Sequence, residues 1–115
     1  MSEFVDSLPE TFELFGPVTV RRMFGGYGLY HDGTMFAIVV DDTLYLKADA
    51  ESAADFEQVG LGRFAYERNG RIIKMSFYLA PDEIIDDREQ AARWAHRAFA
   101  AALRAQAAKK MPKRR

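Results

Sequence analysis

The chain has 115 residues, enough for one domain and too few for two. Hydrophobic residues make up 49% and charged residues 29%, a balance that excludes a disordered polypeptide, and no apolar run approaches the roughly 20 residues of a membrane helix. The net charge of −1 is unevenly placed: Lys109 to Arg115 hold five of the 16 basic residues and no acid, which leaves 11 basic against 17 acidic residues elsewhere. A body of that sign does not draw in phosphate backbones through its overall field.

Phe4, Leu8, Phe12 and Phe15 recur at helical spacing after Ser2, a suitable N-cap, and predict a first helix from about Glu3 to Leu14. Pro9 should kink it or split off its first turn, and Gly16-Pro17 should end it. Val18 to Met23 alternates as a strand. The run Gly25-Gly26-Tyr27-Gly28 should interrupt it, with extended structure resuming at Leu29 to His31. Asp32-Gly33 signals a hairpin into a strongly apolar strand, Met35 to Val40. Asp41-Asp42 turns the chain into Thr43 to Ala48. Ala50 to Val59 is a short helix ended by glycines. Arg63 to Arg68, Asn69-Gly70 and Arg71 to Leu79 form the strongest hairpin signal in the chain. Asp86 and Glu89 make a capping-box pattern for a last helix from about Asp87 to Ala107, with Ala91, Ala95, Ala98 and Ala102 along one face.

Hairpin-linked strands and segregated helices predict an α+β, two-layer domain: an antiparallel sheet of about five strands with helices packed on one face. It should span residues 1–108, followed by a basic, disordered tail, 109–115.

Strand alternation predicts a mixed sheet face carrying Tyr45, Lys47, Lys74 and Tyr78. Such a face suits a protein partner, a second copy of the chain, or stacked bases of a single strand, and it is also what an ordinary solvated sheet looks like. The tail residues Lys109, Lys110, Lys113, Arg114 and Arg115 are candidates for electrostatic contact with nucleic acid.

The sequence offers no catalytic set. Gly26-x-Gly28 begins a nucleotide-loop pattern, but His31 stands where a third glycine belongs and a strand follows instead of a helix. His31 and His96 lie in different elements and read as surface histidines. Ser76 lacks the flanking glycines of a nucleophile elbow. Asp82, Glu83, Asp86 and Asp87 read as helix-start acids. The absence of cysteine excludes disulfides and thiolate chemistry and suits a reducing cytoplasm, and the acidic N-terminus argues against a secretory leader. No cofactor, metal or membrane association is expected.

The stretch Val18 to Gly33, VTVRRMFGGYGLYHDG, together with Met35-Phe36-Ala37, Leu44-Tyr45-Leu46-Lys47, Phe64-Ala65-Tyr66 and Met75-Ser76-Phe77-Tyr78, resembles the N-terminal domain of the TfoX (Sxy) family. Order and spacing agree over about Phe4 to Ala102. The resemblance implies helices against an antiparallel sheet, and a bacterial co-regulator of competence genes that is not an enzyme. Full-length relatives carry a second, C-terminal domain in addition to the one matched. The family supplies no catalytic residues; its motif positions, Arg22, Met23, Phe24, Gly25, Gly26 and Gly28, read equally as structural or functional. The expected function is therefore an interaction module acting through protein contacts, including a weak homodimer. Direct nucleic-acid binding is the alternative and small-ligand binding or catalysis the third.

Overall fold

The computed structural model describes residues 2–23 and 25–110, and only the backbone at Lys110. A helix, α1 (Glu3–Thr11), is followed by four strands, β1 (Thr19–Met23), β2 (Gly26–His31), β3 (Thr34–Val40) and β4 (Thr43–Lys47). A short helix, α2 (Ala53–Glu57), leads to the hairpin β5 (Arg63–Arg68) and β6 (Arg71–Leu79). A 3-10 turn (Asp82–Ile85) and the long helix α3 (Arg88–Lys110) complete the described chain. All six strands join one antiparallel sheet in the order β1-β2-β3-β4-β6-β5. The fold is the α+β class expected, with one strand more than the count of about five.

The extra strand comes from the glycine run. Gly26, Tyr27 and Gly28 do not interrupt the sheet; they begin β2, directly after the turn residue Gly25. Gly25 has φ +66°, a conformation glycine adopts without strain. The Asp32-Gly33 and Asn69-Gly70 turns also have positive φ at both residues, the geometry that matches strand twist.

The helices lie on one face of the sheet. Ser2 caps α1 by accepting from the Val5 amide at 3.2 Å. Pro9 sits inside α1 without dividing it, because Leu8 and Val5 remain fully buried on its inner side. The helix ends at Thr11, short of Leu14, as its last turn tightens into Glu13-to-Glu10 and Phe15-to-Phe12 hydrogen bonds. The alanine stripe of α3 packs as expected: Ala91, Ala95 and Ala98 are fully buried, with Ala101 beside them. Small side chains let the helix approach the sheet closely.

A bulge completes the core. Leu29 pairs with Ala37 and Tyr30 with Met35, so Phe36 is an extra residue in β3. Bulges re-aim side chains. Phe36 is thereby turned into the helix layer, edge-on to Phe12 with ring centroids 5.6 Å apart. At the start of α3, the Asp87 carboxylate accepts from the amides of Glu89 and Gln90, so the cap is Asp87, one residue after the expected Asp86. α3 runs through Lys110, so Lys109 and Lys110 belong to the helix and not to a tail; residues 111–115 lie outside the described part.

Candidate functional site

The sheet face opposite the helices is curled. Strands β1 and β5 are its two edges, yet Met23 of β1 and Phe64, Tyr66 and Arg68 of β5 line one hollow of about 480 Å³. Ile38, Val40 and Met75 add to its apolar lining. The floor depends on glycine. A Cβ on Gly26 would lie 2.1 Å from the Val39 carbonyl oxygen, and one on Gly28 would lie 2.9 Å from the sulfurs of both Met23 and Met35. Bare backbone at these positions lets β2 lie close to β3 and leaves room for the methionines. Tyr45 and Phe64 pack against each other at 4.7 Å, with Tyr66 at 6.2 Å from Phe64.

The charge around this hollow is one-sided. Arg21 pairs across from Gly28 and lies over the Tyr30 ring at 5.0 Å. Arg68 lines the hollow and stands directly opposite Arg71 in the β5–β6 hairpin. Among the described residues, no carboxylate pairs with Arg21, Arg68 or Arg71. The helix side differs: Arg88 bridges Glu10 and Glu13, and Arg104 holds Asp49 bidentately at 2.6 and 3.0 Å with Glu51 at 3.1 Å. Those hydrogen bonds from Arg104 pull the Asp49 carboxyl down to about 2. Arg88 and Arg104 on the helix side are thus paired with acids, and Arg21, Arg68 and Arg71 on the other face are not, among the described residues.

A model of the TfoX N-terminal domain family matches residues 10–102. The chain belongs to this family. Three curated relatives agree with that. "DNA transformation protein TfoX1" of Aliivibrio fischeri is 35% identical over 63 residues, covering 55% of this chain and 30% of that protein. "DNA transformation protein TfoX" of Haemophilus influenzae is 34% identical over 86 residues, covering 72% and 40%. "Protein Sxy" of Escherichia coli is 31% identical over 75 residues, covering 65% and 36%. The chain thus matches well under half the length of these relatives.

In this TfoX N-terminal domain, the motif around the first hairpin divides between the two faces. Met23, Gly26 and Gly28 shape the open hollow, Gly25 makes the turn, and Arg22 lies 5.9 Å from the Tyr27 ring. Phe24 lies outside the described residues.

The expected face of Tyr45, Lys47, Lys74 and Tyr78 does not form. Register pairs Leu46 with Tyr78, which puts Tyr78 on the helix side, 5% exposed and stacked on Phe56 at 5.1 Å. The Tyr78 hydroxyl donates to Glu57 at 2.6 Å, and this bond together with burial raises its pKa above the ordinary phenol value. Tyr45 lies on the opposite face, paired with Ile38. Lys74 is exposed and shares Tyr78's side of β6 at the end beyond the core. Alternation sorts the side chains within a strand, but only the register says which set joins a neighbour's.

Lys47 has a neighbour that the sequence did not signal. Its Nζ donates to Ser76 Oγ at 2.7 Å and sits 5.2 Å from the Phe77 ring centroid. Desolvation holds this amine below the usual lysine value, and Lys109 adds repulsion. Of the two histidines expected at the surface, His96 is exposed, whereas His31 packs between Phe15 and Phe99 with Nδ1 donating to the Pro17 carbonyl at 2.7 Å. Lys109 is exposed near the end of α3; Lys113, Arg114 and Arg115 lie outside the described residues. Among the described residues, no cluster of three or more histidine or acidic side chains is placed to hold a metal, and no helix is long and apolar enough to cross a membrane.

Proposed function

We propose that this chain is a non-enzymatic interaction module, a TfoX-like regulator that works through protein contacts made by the open face of its sheet. One observation carries the reading: the two edge strands curl towards each other around an apolar hollow that no helix covers. Apolar side chains left on a sheet face favour a partner surface. The names of the relatives, which place them in DNA transformation, support a regulatory setting.

The test is photo-crosslinking in the native bacterium, with a photoreactive residue at Met75 in the hollow or at Glu89 on the exposed side of α3. A discrete protein adduct from position 75 and none from position 89 is expected. Adducts to nucleic acid alone, or equal protein adducts from both positions, would count against the reading. Direct nucleic-acid binding loses the Tyr78 platform, since that ring belongs to the core; a salt series of DNA anisotropy measurements on the full chain tests what remains.

A further inference from the structure

We infer that the hollow takes an acidic amphipathic segment of a partner protein, with apolar side chains on the floor and carboxylates towards Arg68, which lines it, and the neighbouring Arg71 and Arg21 on the same sheet face. This rests on the protein-contact reading and names the partner's chemistry.

The argument begins with an uncompensated charge. Arg68 and Arg71 face each other across the β5–β6 hairpin, and like charges directly opposite destabilise a sheet. No carboxylate offsets them among the described residues, although this chain holds 17 acidic residues and pairs Arg88 and Arg104 with four of them on the helix side. Glu67, between Tyr66 and Arg68, alternates to the other face. Beyond the hollow on the same sheet face, two residues from Met23, Arg21 is held over Tyr30, likewise without an acid among the described residues. The nearest carboxylates in sequence to the floor residue Val40 are Asp41 and Asp42, in the turn that follows it.

The second part is the floor. Met23, Ile38, Val40 and Met75 are non-aromatic, and the Phe64 ring packs against Tyr45 on one side and Tyr66 on the other, which leaves Tyr66 as the exposed ring. Bases stack on exposed aromatic faces, whereas flexible methionines accommodate varied side chains. An occupant with an apolar ridge beside carboxylates satisfies the floor and the flanking arginines; a phosphate backbone satisfies only the arginines. Exposure of 39% at Met23 and 40% at Tyr66 leaves the ridge room to enter from the open side.

The experiment selects random dodecapeptides displayed on phage against the full chain and measures the strongest binder by fluorescence anisotropy. Enriched sequences should combine Asp or Glu with aliphatic or aromatic residues. Affinity should fall about tenfold or more in the Arg68→Glu/Arg71→Glu variant, and with rising salt. Both arginines are exposed at a hairpin tip, so circular dichroism should show an intact fold; the milder Arg68→Gln/Arg71→Gln variant should fall between. Enriched peptides without carboxylates, bound equally by wild type and charge-reversed variant but lost in Val40→Asp, would overturn the acidic assignment and leave the protein-contact reading standing. Peptides indifferent to Val40→Asp, or displaced by oligothymidylate at near-physiological salt, would overturn both.

Discussion

Gly26 of β2 faces the carbonyl oxygen of Val39 in β3 so closely that a Cβ there would lie 2.1 Å from it. No side-chain adjustment relieves an overlap with backbone, so strand β2 would have to move away from the centre of the sheet. Gly26→Ala is therefore expected to cost about 3 kcal/mol or more, at the upper end of overpacking effects. Gly25→Ala has open space around its Cβ and a φ of +66°, so its cost should be only about 1 kcal/mol from the left-handed backbone. Urea unfolding of both variants measures the contrast; equal costs would show that the β2–β3 approach does not constrain the sheet.

Gly16 presents a second close approach of a different kind. Its φ is +149°, and a Cβ would meet His31 Cε1 at 2.7 Å. The imidazole is packed against Phe15 and Phe99 and tied to the Pro17 carbonyl, so it cannot easily give way. Gly16→Ala should lower stability by about 2 kcal/mol. The double variant Gly16→Ala/His31→Ala should recover part of that loss in a double-mutant cycle. Strict additivity of the two single effects would argue against the contact.

Tyr78 links the sheet to α2 through Glu57. The phenol in the folded chain keeps its proton to a higher pH than the ordinary 10.0. Its stabilisation is complete below about pH 10 and is lost as the pH climbs through the raised folded value. Tyr78→Phe should cost about 1–2 kcal/mol at neutral pH and weaken the alkaline fall in stability. Tyr78→Ala should cost about 3–5 kcal/mol, as expected for a buried aromatic. A Tyr78→Ala chain that unfolds like wild type would return Tyr78 to the surface.

Asp49 gives the acid limb. Its folded pKa of about 2 lies below the ordinary aspartate value of 3.8, so the stabilisation it provides is present above about pH 4 and fades as the pH falls towards 2. Asp49 keeps a quarter of its side chain exposed and Arg104 more, so screening trims the effect to about 1–2 kcal/mol. Asp49→Asn should lose that much near neutral pH and converge with wild type at about pH 2. Urea midpoints across the acid range decide it. A constant gap between the two proteins down to the lowest pH would exclude the Arg104 pairing as the cause.

The open face was only partly readable from residues. Met23, Gly25 and Gly26 of the motif line the hollow, and Tyr45 lies on the helix-free side. The grouping of Tyr78 with Tyr45 failed because β6 is placed beside β4 with Tyr78 opposite Leu46. The pairing of Arg68 with Arg71 follows directly from the Asn69-Gly70 turn, but the position of Arg68 on the wall of a hollow shared with Met23 does not.

The sequence by itself determined the elements: turn residues with positive φ at Asp32-Gly33 and Asn69-Gly70, the apolar run of β3, and the alanine stripe of α3 are local signals read within a few residues. It also determined the family, through a motif in which contacts require Gly26 and Gly28 and a positive φ suits Gly25. Tertiary structure alone decided that β6 pairs with β4, that Phe36 bulges into the core, and that the sheet curls until its two edges line one hollow. Those features depend on register and twist between strands distant in sequence, and period-two alternation is unchanged whichever neighbour a strand acquires.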